Sequence, residues 1–354
     1  MGRVDEPIML GRLSCRNRLV RSATHSFLGT PEGRMSEADF AMYETLAENG
    51  IGLIISGHCC VSPRGRANEE QLNVFDDRVV GDIARAVKLV HEAGSRLIFQ
   101  LSHAGPRAIG VEDLADVTAR PLKKGKTARE LRGEEIEAIR EEFIAAARRV
   151  KRAGADGVQL HAAHSYLLSR FLDPTFNQRT DAYGGDAANR FRLVGEIVAG
   201  IKAACGADFP VLLKINSDTK GDDAAYESDL IYMLGEARRL GAELVELSGV
   251  DFLSEPRTAT LYYLPRAKRL RRAVEEPLSL VGGVRSLADM EEVIESGLDM
   301  VSLSRPLICE PDLLPRLRAG QERSNCLGCN RCFVIARLHP GLRCVRQRQL
   351  TKKA

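Results

Sequence analysis

Residues 154–190 read GADGVQLHAAHSYLLSRFLDPTFNQRTDAYGGDAANR. A Gly-Ala-Asp-Gly turn leads into a short run, 157–160, with the character of a buried strand. His161 stands where that strand ends, and His164 and Tyr166 follow within five residues. A long polar loop then carries Arg179, Asp181, Tyr183, Gly184 and Gly185 before a helix starts near Ala188. Imidazole and phenol groups can donate hydrogen bonds to an oxygen that gains charge, and a tyrosine can also release a proton. The competing reading is a pair of satisfied core histidines. Zinc fits poorly, because no third ligand is near in sequence.

Outward from this stretch, strand and helix patterns alternate along the chain. Strands are expected over 19–23, 52–55, 96–101, 157–160, 210–215, 244–247, 278–281 and 300–303. Helices are expected over 37–48, 80–93, 134–152, 188–204, 226–240, 265–274 and 287–296, with a closing helix from 313 to 317. In the third of these, Ile136, Ile139, Phe143, Ala147 and Val150 recur at three- and four-residue steps, the signature of one helical face. The polar insertion 102–133 shows little apolar periodicity and reads as a loop. Eight βα units predict an α/β protein with a (β/α)8 TIM barrel followed by a cysteine-rich C-terminal extension. The boundary is expected at 1–320 for the barrel and 321–354 for the tail. A doubly wound sheet would carry a glycine-rich fingerprint after its first strand, and residues 20–30 have none. Function in such a barrel gathers at the C-terminal strand ends, which here bring up His25, Gly57, Gln100, His161, Lys214, Ser248, Gly282 and Ser304.

The 354 residues carry a net charge of +3, too small to imply a polyanionic partner. No run of about 18 apolar residues exists, so no membrane span is expected. The start, MGRVDEPIML, lacks a signal peptide's apolar core, and a cytoplasmic location is expected. Nine cysteines, four of them crowded at the C-terminus, suit a reducing compartment better than a disulfide framework. The basic run Arg266, Lys268, Arg269, Arg271 and Arg272 reads as a solvated helix face, since no aromatic residues interleave as in a nucleic-acid surface. Cys59 and Cys60 read as buried thiols.

Gly282-Gly283 follows the seventh strand and Ser304-Arg305 the eighth. Barrels often seat a phosphate there, with glycine letting backbone N–H groups come close and arginine supplying a forked cation. Ordinary turns with a surface arginine are the alternative.

With these residues in place, the chain resembles the Old Yellow Enzyme family of flavin oxidoreductases, and within it the catalytic barrel of 2,4-dienoyl-CoA reductase. The resemblance rests on NRLVRSAT at 17–24, FQLSHAG at 99–105, the long block above, LVGGV at 280–284 and SLSRP at 302–306. It implies FMN, with NAD(P)H as co-substrate. By resemblance, Ala23, Thr24, Gly57 and Gln100 contact the flavin ring, Lys214 faces its N1–O2 edge, and Gly283, Ser304 and Arg305 hold the phosphate. His161 and His164 bind the substrate carbonyl, with His25 also on the substrate side, and Tyr166 protonates the carbon beside that carbonyl. Departures from the family pattern are Lys214 where arginine is usual, Ser304 where glycine is common, and His25 where threonine or cysteine stands. The implied activity is an ene-reductase acting on a small enone-type molecule, without nucleic acid or membrane; a homo-oligomer is left open. One rival is a phosphosugar aldolase or isomerase, which would use Lys214. Another is a non-catalytic flavin subunit passing electrons to a partner.

Cys326, Cys329, Cys332 and Cys344 form C-x2-C-x2-C-x11-C. The first three have ferredoxin-type spacing. The family's cluster-bearing members place three residues between the second and third cysteine, where this chain has two. Three readings stand, in order: a 4Fe–4S cluster, a structural zinc, and free thiols. A helical turn through Phe333, Val334 and Ile335 is expected to pack the site against the barrel.

Overall fold

The computed structural model describes residues 2–221, 223–336 and 338–346. Eight parallel strands close into a barrel: β1 Leu19–Arg21, β2 Leu53–Cys60, β3 Arg96–Ser102, β4 Gly157–Ala162, β5 Val211–Asn216, β6 Leu244–Ser248, β7 Leu278–Val281 and β8 Met300–Leu303. Each strand pairs with its neighbours in sequence, and β8 returns to β1 through Val301–Leu19 and Leu303–Arg21. The strands are buried on both faces, which explains their largely apolar character; the polar residues within them, among them Gln159, Lys214 and Glu246, are buried as well.

The covering helices are α1 Glu37–Glu48, α2 Val80–Glu92, α3 Gly133–Arg152, α4 Ala187–Cys205, α5 Asp223–Arg239, α6 Leu264–Ala273 and α7 Leu287–Glu295. Ser36 and Asp39 make a capping box on α1, and Ser286 and Asp289 make another on α7, so side chains satisfy their first N–H groups. The expected face of α3 is the buried one. Arg266 and Arg269 of α6 pair with Asp223 and Glu227 of α5, each at 2.7 Å. A hairpin, Ile8–Leu10 with Leu13–Cys15, precedes the barrel, and its Leu10, Leu13 and Cys15 pack with Val20, Leu53 and Ile98 in a separate core cluster.

Three features depart from the sequence expectation. Strand β2 runs five residues past Ile55, through a register shift between Ile55 and His58. A β-bulge breaks the alternation by which strands are read. The insertion 102–133 contains a small sheet, Ala115–Asp116 and Arg120–Pro121 flanking Thr127–Glu130. Strands this short leave no periodic trace. A short helix, Leu167–Leu172, follows Tyr166 directly. Arginines of the 154–190 block lock the insertion down: Arg170 Nε donates to Asp116 Oδ1 at 2.7 Å, and Arg179 donates to the carbonyls of Val117 and Leu131 at 3.0 and 2.8 Å. A Cβ on Gly184 would lie 2.1 Å from the Arg179 carbonyl oxygen, so only glycine fits there. Much of that polar loop therefore serves as scaffold.

Candidate active site

A cavity of about 470 Å3 opens at the C-terminal end of the barrel. It falls within the roughly 300–1,000 Å3 range usual for ligand and cofactor sites. His161, His164 and Tyr166 meet there. The two imidazole rings lie 5.3 Å apart edge to face, and the phenol ring is 4.6 Å from His161. His164 and Ser165 both hold the left-handed conformation, each with φ of 58°. Two consecutive non-glycine residues there cost about 1–3 kcal/mol each. The fold imposes that turn through neighbouring strands: the His164 N–H donates to Asn216 Oδ1 of β5 at 3.0 Å, and Ser248 Oγ of β6 lies 2.9 Å from its Nε2.

Burial holds both imidazoles well below the usual histidine pKa, and Lys214 and Arg107 push the same way, so both rings are neutral at pH 7. Burial lowers His25 to about 4, with Asn68 opposing through a 2.9 Å contact at Nε2. Tyr166 is pushed up to about 12 by burial, with Arg107 opposing. His161 Nδ1 is buried and has no hydrogen-bond partner in the protein. An orphaned polar atom on a ligand-sized cavity fits a bound group supplying the missing partner.

Of the residues expected around a flavin, Ala23, Thr24, Gln100, Lys214, Ser304 and Arg305 line this cavity. Thr24 Oγ1 and Ser304 Oγ are 2.9 Å apart, joining the rims of β1 and β8. Gln100 donates to Gln159 at 2.7 Å. Lys214 donates to Ser22 Oγ at 2.8 Å and pairs with Glu246 at 3.2 Å, both charges almost fully buried. Glu246 and Gln159, inside the barrel, were not legible as site residues because nothing in the pattern marks which strand residues point inward.

Gly57 and Gly283 do not line the cavity. Gly57 lies inside β2, where a Cβ would come within 3.1 Å of the His25 backbone. Gly283 is covered by the segment ahead of α6: a Cβ there would lie 2.5 Å from Leu261 N. Arg305 begins a short helix, α8 Arg305–Cys309, and its guanidinium donates to Tyr262 Oη at 3.0 Å and to Asn330 Oδ1.

His58 is the residue that sequence reading passed over. Its ring lies 5.2 Å from that of Tyr166 and 4.7 Å from that of His25. Cys59 and Cys60 are buried as expected, their thiols pushed up to about 12 by burial.

In the tail, Cys326, Cys329, Cys332 and Cys344 are half-buried and border one cleft of about 20 Å3. Among the described residues, no three His, Cys, Asp or Glu side chains are disposed to hold a metal ion. The ligand set that the spacing suggested is thus not assembled. The turn after Cys332 forms as helix Arg331–Ile335; none of its residues is fully buried, and of the three expected to pack, Phe333 reaches the barrel, 6.2 Å from Phe252 at the cavity. Residues 347–354 of the tail lie outside the described residues.

A model of the NADH:flavin oxidoreductase / NADH oxidase family matches residues 4–324. The chain belongs to this family. It is 31% identical over 352 residues to an NADH oxidase from Thermoanaerobacter brockii, covering 94% of this chain and 54% of that protein. It therefore spans about half the length of that relative. A 4,4'-dithiodibutanoate disulfide reductase from Rhodococcus erythropolis is 29% identical, with 97% of this chain and 94% of the relative aligned. Among solved structures, Old Yellow Enzyme from Pichia sp. AKU4542 superposes with a TM-score of 0.79 at 25% identity, covering 93% of this chain and 90% of the other. The fold is that of an Old Yellow Enzyme barrel, in keeping with membership of the NADH:flavin oxidoreductase family. Among the described residues, no helix is long and apolar enough to cross a membrane.

Proposed function

We propose that this chain reduces alkenes conjugated to a carbonyl, using NAD(P)H. The observation that carries this reading is the convergence of two neutral histidines and a tyrosine on one cavity, with an unpartnered Nδ1 on His161. When bound, FMN would supply two-electron hydride chemistry between the nicotinamide and the alkene. Ala23, Thr24, Gln100 and Lys214 would border its ring, with Ser304 and Arg305 toward its phosphate. Gly57 and Gly283 would contribute as backbone only.

The protein's own groups do the rest. His161 presents Nδ1, and His164, with Nε2 engaged by Ser248, presents its other nitrogen. Neutral donors aimed at the carbonyl oxygen stabilise charge as it develops there. Tyr166 gives its phenolic proton to the α-carbon. A cytoplasmic site of action suits nine cysteines of which none forms a disulfide among the described residues.

The test separates the half-reactions. Tyr166→Phe removes the donor and keeps the shape, so oxidation of the reduced enzyme by an enone should slow by about a hundredfold or more. Its reduction by NADPH should slow far less. Equal slowing of both would make Tyr166 structural.

One observation favours a second reading, an electron-transfer subunit. Phe333, next to Cys332, lines the cavity and lies 6.2 Å from Phe252, so the tail reaches the mouth. Steady turnover of NADPH with an enone by the purified chain alone would exclude that reading.

A further inference from the structure

We propose that His58 is a positioning residue for proton transfer: Gln71 fixes its tautomer, and the imidazole N–H then turns the Tyr166 hydroxyl proton into the cavity. This inference rests on the reading of Tyr166 as proton donor.

Gln71 is fully buried. The Ala67 N–H donates to its Oε1 at 2.6 Å, which fixes the amide orientation. Its Nε2 is then 2.7 Å from His58 Nδ1 and 3.2 Å from both the His58 carbonyl and Ser102 Oγ. An amide nitrogen only donates, so His58 Nδ1 accepts. A neutral imidazole that accepts at Nδ1 carries its proton on Nε2. That atom is 3.3 Å from Tyr166 Oη. Nε2–H therefore donates, Oη accepts, and the phenolic hydrogen cannot point at His58.

Electrostatics keep the ring in this state. Burial, His25 and His161 hold His58 well below the usual histidine value. The groups facing the pair are His25 at 4.7 Å and His161 at 6.2 Å from His58, Arg107 at 6.0 Å over the Tyr166 ring, and Cys60. Of these groups Arg107 is the cation, and it favours the phenolate.

The proton balance is simple. Hydride goes to the β-carbon, the Tyr166 proton goes to the α-carbon, and the alkene gains two hydrogens. The phenolate left behind accepts the Nε2–H bond. His58 keeps its one proton throughout, and water at the cavity mouth reprotonates Oη.

The test uses the full chain loaded with FMN, reduced by NADPH and mixed rapidly with 2-cyclohexenone across pH 6–10. His58→Leu removes the donor, and His58→Gln keeps an N–H near the position of Nε2. His58→Leu should slow the oxidative step about tenfold, the scale of one hydrogen bond to a charge-developing oxygen. His58→Gln should recover most of that loss. Gln71→Met leaves His58 in place and frees its tautomer; it should slow the same step by a smaller factor, and it serves if the His58 variants fail to bind FMN. Equal rates and pH profiles for His58→Leu, His58→Gln and Gln71→Met would overturn the proposal, provided Tyr166→Phe is slow. If Tyr166→Phe is not slow, the proton-donor reading falls first.

Discussion

The barrel mouth and the cysteine tail both gather reactive side chains, but only the mouth holds them in place without a ligand. Every histidine at the mouth sits on or just after a barrel strand, and His58 and His164 are pinned by side chains of other segments. Of the tail cysteines, Cys326, Cys329 and Cys344 lie on loops and Cys332 on a helix of five residues. Glu310 accepts from Ser324, Asn325 and Gln321 at the root of the segment, and Asn330 is tied to Arg305 and to the Leu253 carbonyl. Beyond it, Leu327, Val334 and Leu338 are exposed. Strand pairing pre-organises one site, whereas the thiols, though they border one cleft, would take up a ligand geometry only when something binds them.

The barrel interior offers the largest way to break this contrast. Lys214→Met would strand Glu246, which is 1% exposed and already has one oxygen unpartnered. Removing one member of a buried pair costs about 3–5 kcal/mol. Urea unfolding should show that loss, and adding Glu246→Gln should restore much of it. An unchanged midpoint in Lys214→Met would mean that the interior tolerates an unpaired charge and is less constrained than its geometry implies.

Arg305 joins the two regions, reaching Tyr262 on one side and Asn330, between two tail cysteines, on the other. Arg305→Ala should weaken FMN retention by about 2 kcal/mol, the scale of a lost charge-assisted bond. Fluorescence titration of FMN into the apoprotein measures it. Undiminished affinity would assign Arg305 to the tail alone.

The architecture was legible because its signals are periodic. All eight barrel strands and seven covering helices lie where apolar spacing put them, and the mouth followed from the strand ends. His161, His164 and Tyr166 could be read because they crowd one strand end. His58 could not, because a bulge carries β2 past its apparent end and leaves that histidine inside a strand. Gly283 was expected at a phosphate, but the segment covering it is held by packing that no local pattern encodes. The same limit hid Glu246, whose inward direction depends on barrel closure.

Acid separates the two regions by a smaller effect. His103, 7% exposed, accepts the Gly105 N–H at 3.0 Å, and burial lowers it to about 4. Its folded pKa lies below its unfolded value near 6.5. The unfolded chain therefore binds the proton first as pH falls. Stability from this group is present above about 6.5 and lost toward 4, at up to about 1.4 kcal/mol per pH unit. His103→Asn keeps an acceptor for Gly105 and should flatten that part of the slope. In the tail, Cys326 and Cys332 are pushed up by burial, away from this window. An identical slope in the variant would place the acid sensitivity elsewhere.

The tail should give the smallest effect on the barrel and the sharpest answer about itself. We expect Cys332→Ser, in metal-free protein, to change global unfolding by less than about 0.5 kcal/mol, as for a half-buried position outside the core. Hydrogen exchange across 326–346 should be fast beside that of β4, since the tail helix buries no side chain. If Cys326, Cys329, Cys332 and Cys344 bind a metal when the chain is purified anaerobically, the segment should become protected, and the serine variant should lose both metal and protection. About four irons with four sulfides per chain would identify a 4Fe–4S cluster, and one zinc without sulfide a structural ion. No metal, with rapid exchange throughout, would leave the four residues as thiols. A tail already protected without metal, with a Cys332→Ser change as costly as one in the barrel, would erase the contrast, because the fold would then be holding those thiols as firmly as it holds the histidines.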